Sequence, residues 1–197
     1  MGHDHGAPQG RGRIAVALAI TASVMIAELI GAAITGSLAL LVDAAHMLTD
    51  AGGLAIAFTA ASLVGRPPTD KRTWGFRRAE VLGATAQAAI LFAVGIFVLV
   101  EAVQRLFHPP EIQGDLLVVF GIIGLAGNVA SLIVLFGGRR SNLNLRAAFL
   151  EVLNDALGSV AVIAAAIVIA LTGFQLADAI AAIVIGALIL PRAFLLL

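Results

Sequence analysis

The sequence predicts an all-α membrane protein with six transmembrane helices, and three observations predict it. Hydrophobic residues make up 60% of the chain and charged residues only 12%, where a soluble domain carries about 25% charged residues. The apolar residues gather into six runs, each long enough to cross a bilayer, which takes about 20 helical residues. Eleven of the twelve basic residues fall on one side of those runs. Helix is the default for spanning runs, because no backbone polar group can go unpaired in lipid.

The runs and their punctuation come in order. The first, Ile14–Ile34, follows the polar start MGHDHGAPQGRGR and stops at TGS, Thr35–Ser37. The second, Leu38–Val64, stops at RPPTD, Arg66–Asp70, and the third, Ala79–Leu106, at HPPEIQG, His108–Gly114. The fourth, Asp115–Phe136, stops at GGRRSN, Gly137–Asn142, and the fifth, Arg146–Leu171, at TGF, Thr172–Phe174. The sixth covers Gln175–Leu197. Gly, Pro and Asn clusters of this kind mark turns. The basic residues precede run one, lie between runs two and three and between four and five, and recur at Arg192; Arg105 alone lies on the other side. Basic loops stay in the cytoplasm, so both termini are expected there.

Acidic and basic residues balance at 12 each, and there are no cysteines. No nucleic-acid partner is expected, and neither disulfides nor a thiolate metal site can form. His3, Asp4 and His5 in the polar start could capture a metal weakly, but a solvated tail is the expected reading.

Several acids sit inside the apolar runs. A charge at the bilayer centre costs at least about 2.5 kcal/mol, so such residues usually mark ion pathways. Two pairs share one geometry: His46 and Asp50 in LVDAAHMLTDAGG, and Glu151 and Asp155 in FLEVLNDALG. Residues four apart share a helix face, about 6 Å apart along the axis. Two such pairs on facing helices would give one nitrogen and three oxygen ligands, a set suited to four-coordinate Zn²⁺. The competing reading is two separate polar pairs, each bonded within its own helix.

Other polar residues are sorted around that cluster. Asp43, three residues before His46, could orient the imidazole through its other ring nitrogen, or could line the mouth of the site. Glu28, Asn128 and Asn154 are placed with Asp43 beside the cluster or along the ion path. Asn128 and Gln87 also suit hydrogen bonds between helices. Glu101 and Asp178 lie near helix ends, where solvated or capping roles are expected. The small residues Ala51, Gly52, Gly53, Gly158 and Ser159 would let the liganding helices approach closely.

At this point the residues resemble a known family. LVDAAHMLTDAGGLAIAF resembles the second transmembrane helix of the cation diffusion facilitators, and RTWGFRRAEVLGA the entry to their third. NLNLRAAFLEVLNDALGSVAVI resembles the fifth, and TGFQLADAIAAIVIGALILPRAF the sixth. The resemblance covers the chain from Arg13 onward. It implies an antiporter that exports divalent metal from the cytoplasm in exchange for protons, by alternating access. The family's ligand positions fall on His46, Asp50, Glu151 and Asp155. The cargo implied is Zn²⁺, with Co²⁺ or Cd²⁺ as further substrates; no organic cofactor is expected. The implied setting is the bacterial inner membrane, and the implied assembly a homodimer.

Three features depart from the family's commonest pattern. Glu151 stands where many zinc-transporting members have His, as in the bacterial cobalt–zinc–cadmium resistance branch. DKRTWGFRR holds no histidine, so the additional metal site of some members in this loop is expected to be absent. Most members continue into a cytoplasmic αβ domain. The expected division is therefore a disordered cytoplasmic tail over 1–13, a six-helix cation efflux domain over 14–197, and no C-terminal soluble domain. No hydrolytic motif such as HExxH is present, so no enzyme is expected. The alternatives are a membrane metal-binding subunit that does not transport, and a six-helix protein whose acids are paired locally.

With His46 neutral, ionised Asp50, Glu151 and Asp155 would carry −3, leaving −1 after M²⁺ binds. A net buried charge is costly. A retained proton, or a nearby cation or polar group, is therefore expected to compensate.

Overall fold

A computed structural model describes residues 8–64, 78–137 and 143–195. All regular structure among them is α-helical, in the order α1 (Pro8–Thr35), α2 (Leu38–Val64), α3 (Arg78–Phe107), α4 (Gly114–Phe136), α5 (Leu143–Thr172) and α6 (Leu176–Leu195). The observed bounds track the expected ones closely, except at α1. That helix begins at Pro8, six residues ahead of Ile14, and so enters the stretch expected to be a tail. Proline suits a first helical turn, because its missing N–H would be unpaired there in any case. The RPPTD turn, the DKRTWGF segment, most of GGRRSN, His3, Asp4, His5 and the Gln87 side chain lie outside the described residues.

Among the described residues, four helices contain stretches long and apolar enough to cross a membrane: Gly12–Thr35, Ala88–Phe107, Gly114–Phe136 and Leu145–Thr172. The described part of α6 holds a shorter apolar stretch, Leu176–Leu188. Large apolar side chains face outward, among them Leu171 at 80% exposure and Phe107 at 74%. Polar groups turn inward: Glu28, Asp43, Asn128, Asp155 and Asp178 are all buried. In water this arrangement would be unstable; in lipid the apolar exterior is solvated and the polar interior is shielded.

The tightest packing joins α4 to α5 and to α1. The buried residues of α4 are Gly114, Leu117, Gly121, Gly124, Asn128, Ser131 and Leu135. Their spacing alternates between three and four, the seam of a coiled coil. The glycines let neighbouring helices come close, as small residues do in membrane bundles. A Cβ on Gly121 would lie 2.7 Å from Ile163 Cγ1 of α5. Gly121→Leu is therefore expected to destabilise the bundle by about 1–3 kcal/mol, the usual cost of overpacking. A lower melting temperature in detergent checks this.

The two Gly-centred turns share one construction. Gly36 and Gly173 have φ of 73° and 70°, the left-handed region that glycine enters without a Cβ penalty. Gly36 N donates to Ala32 O at 2.9 Å, and Gly173 N to Ile169 O at 2.8 Å, each closing the preceding helix. Thr35 Oγ1 and Thr172 Oγ1 donate to carbonyls four residues back.

A polar latch gathers four segments at this end of the bundle. Asp178, in the first turn of α6, accepts from Ser37 Oγ, from Leu38 N at 2.6 Å and from Ala39 N at 3.3 Å. The sequence predicts a solvated or capping role for Asp178. It is 1% exposed, and the helix it caps is α2 rather than its own. Arg105 of α3 lies 3.6 Å from Asp178, donates to Gly36 O at 2.6 Å and pairs with Glu101 at 2.9 Å. Beside it, Gln175 Oε1 accepts from Ile112 N at 3.0 Å, tying the α3–α4 loop to the α5–α6 turn.

Candidate metal centre

The expected ligands lie near the middle of α2 and early in α5. No Gly or Pro interrupts α2 between Leu38 and Asp50, so a regular helix keeps His46 and Asp50 on one face. Glu151 and Asp155 repeat that spacing on α5. The two helices run antiparallel and in register. A Cβ on Gly158 would meet Asp43 Oδ1 at 2.5 Å, while Asp50 meets Glu151 seven residues further along α2 and seven earlier on α5. The same register sets Asp155 level with His46.

His46, Asp50 and Glu151 each offer one ligand atom, and these atoms lie within 4.8 Å of one another. His46 Nε2 is 3.4 Å from Asp50 Oδ2. Two donors on one tetrahedral Zn²⁺ stand about 3.3 Å apart, given bonds of about 2.0 Å. The separation of this pair is close to that spacing. His46 is buried, while Asp50 and Glu151 are half-buried. The cluster is thus closed on the imidazole side and reachable on the carboxylate side.

Asp155 is buried and not part of that converging group. Helical spacing does not separate it, since His46 and Asp50 at the same spacing do converge; the difference lies in which groups pack around it. It lies within electrostatic reach of Glu28 and Asp43 instead. Three of the four expected ligands thus converge in this conformation, and the fourth stands one turn along the helix. The backbone carbonyl of Asp155 accepts from Ser159 Oγ at 3.1 Å, and Ser159 Oγ accepts in turn from Asn128 Nδ2 at 3.1 Å. Asn128 therefore bridges α4 to α5, as an interhelical polar residue should. Asn154 is exposed, turned away from the buried groups.

Gly158 and Ser159 do more than allow the close approach expected of them, and Gly124 joins them. Gly124 and Gly158 clear space for the Glu28 and Asp43 carboxylates, respectively. Ser159 links the Asn128 amide to the helix carrying Asp155. The signal for Gly124 and Asn128 was present, because they lie on one stripe of small and polar residues along an otherwise apolar helix.

With this geometry in view, comparison with known proteins decides the family. The family model of the cation efflux transmembrane domain matches residues 14–197. The chain belongs to the cation diffusion facilitator family. This cation efflux domain is 46% identical over 197 residues to the metal cation efflux system protein CzcD of Cupriavidus metallidurans, covering 100% of the chain and 62% of CzcD. It is 40% identical over 186 residues to the zinc transporter ZitB of Escherichia coli, covering 94% of the chain and 59% of ZitB. It is 37% identical over 198 residues to the cadmium, cobalt and zinc/H⁺–K⁺ antiporter of Bacillus velezensis, covering 98% of the chain and 63% of that protein. The chain spans about three fifths of the length of these relatives. The likeness to CzcD agrees with the cobalt–zinc–cadmium branch read from Glu151. A membrane transport family, together with the four spanning stretches, makes this an integral membrane protein.

Proposed function

We propose that this domain exports a divalent transition metal, Zn²⁺ first and Co²⁺ or Cd²⁺ as further substrates, from the cytoplasm in exchange for protons. The observation that carries the reading is the convergence of His46, Asp50 and Glu151 within 4.8 Å, at the meeting of α2 and α5. The names of CzcD, ZitB and the Bacillus antiporter support metal efflux. Asp155 completes the set in a liganded conformation, a shift of one carboxylate across the α2–α5 seam. Six spans with both termini in the cytoplasm, in the bacterial inner membrane, fit the basic residues and the alternation of the helices. A homodimer is proposed from the family alone.

The mechanism follows from competition. Metal ligands must be deprotonated, so the ion and protons contend for the same atoms. Metal entering from the cytoplasm displaces protons from the cluster. Rearrangement of the helices exposes the site outward, where protons return and the ion leaves. His46, Asp50 and Glu151 carry −2 with the imidazole neutral, which one M²⁺ neutralises without Asp155. Drawing Asp155 in adds the further negative charge that a proton would offset.

Purified domain in proteoliposomes tests the reading. Zn²⁺ flux driven by an imposed proton gradient is the expected result. Metal binding without flux would leave a binding subunit in its place. Apparent metal affinity is expected to fall as pH falls, because binding releases protons; calorimetric titration across buffers of different ionisation enthalpy measures both the sign and the number. Glu151→His is expected to change that number, since it replaces an acid by a neutral ring. An unchanged count and an unchanged pH dependence would overturn the charge argument.

A further inference from the structure

Toward the Gly36–Ser37 end of the bundle, beside the cluster, lies a second set of polar groups. Glu28 of α1 and Asp43 of α2 are each 1% exposed. Both Glu28 oxygens and Asp43 Oδ2 have no hydrogen-bond partner. Asn128 of α4 is fully buried, and its Oδ1 also lacks a partner, while its Nδ2 is committed to Ser159. Three helices thus present four orphan oxygens, all of them acceptors. No Lys or Arg is buried among the described residues to answer them.

Buried acceptors without a donor are costly, yet the backbone makes room for these. A Cβ on Gly124 would come 2.5 Å from Glu28 Oε1 and 3.1 Å from Ser159 Oγ. A Cβ on Gly158 would come 2.5 Å from Asp43 Oδ1. Alanine at either position would push a carboxylate out of place. The glycines seat the two carboxylates inside the bundle, and the surplus of buried acceptors calls for a positive ligand.

We propose that Glu28, Asp43 and Asn128 form a second cation station, one that takes a hard divalent cation through oxygen alone. This rests on the reading that the domain moves divalent metal. Carboxylate and amide oxygens suit harder ions than an imidazole-bearing set does. An ion passing from His46, Asp50 and Glu151 to these oxygens would be held less tightly, which favours release, and multiple weak stops are what passage requires. Asp155, between the two sets, is placed to hand the ion across.

The test is a count of Mn²⁺ bound by the full chain in lipid nanodiscs, read from loss of the free-ion paramagnetic resonance signal. Wild type is expected to bind two equivalents. Glu28→Gln and Gly124→Ala, on different helices, are each expected to bind one, and Asp50→Asn is expected to lose the other. The combination Asp50→Asn with Glu28→Gln is expected to bind none. One equivalent in wild type, or two in both Glu28→Gln and Gly124→Ala, would overturn the station while the first cluster stood. Loss of both equivalents in Glu28→Gln at an unchanged melting temperature would overturn it as well. If Asp50→Asn kept two equivalents and Glu28→Gln lost one, the station would stand and the first cluster would fall. No binding in wild type overturns both.

Discussion

Asp50→Ala and Glu151→Ala are each expected to abolish metal transport, weakening Zn²⁺ binding by at least about 100-fold, since loss of a supporting group alone costs 10- to 100-fold. The argument is geometric. Only one group of three titratable ligands converges among the described residues, and these two acids supply both of its negative charges. Removing either leaves His46 and one carboxylate converged, and at most three donors once Asp155 moves in, short of the four-ligand set. Asp155→Ala is the informative comparison. If Asp155 joins only in the loaded state, its loss weakens binding less than the loss of Asp50, while transport falls as far. Calorimetry with Zn²⁺ and proteoliposome flux on the same three variants separate these effects.

Asp178→Ala is expected to destabilise the domain by about 3–5 kcal/mol. Its carboxylate satisfies the Ser37 hydroxyl and two N–H groups at the start of α2, and it faces Arg105. Truncation removes the acceptor of the Ser37 hydroxyl and of both N–H groups at once, in a site shielded from water. A residual stability that low should appear as a melting temperature lower by roughly 10 °C, with α2 displaced at its first turn. Asp178→Asn retains the shape and part of the hydrogen bonding but gives up the charge facing Arg105, so an intermediate loss is expected. Equal stability of Asp178→Ala and wild type would show that α2 is held by its apolar packing alone.

Much of the helical layout was legible because the bilayer imposes a length and turns impose a chemistry. TGS and TGF read as turns, and each has glycine in the left-handed region closing a helix. The two ionisable pairs were legible for a related reason: spacing of four on an apolar helix is costly unless the residues act together. The convergence of His46, Asp50 and Glu151 follows from that spacing once α2 and α5 face each other. Asp178 was half legible. Its place at a helix start suggested capping, but a cap on a neighbouring helix depends on how α6 meets α2, about 140 residues away in the chain.

By itself, then, the sequence determined the class of protein, the approximate positions of its helices and the two ionisable pairs proposed as ligands, because hydrophobic length and helical period are local properties. Only the tertiary structure decided how the acids divide. Asp155 is rotated out of the converging group toward Glu28 and Asp43, and Gly124 and Gly158 clear the space those two carboxylates fill. That division turns on which faces of four helices meet. No stretch of a single helix records it.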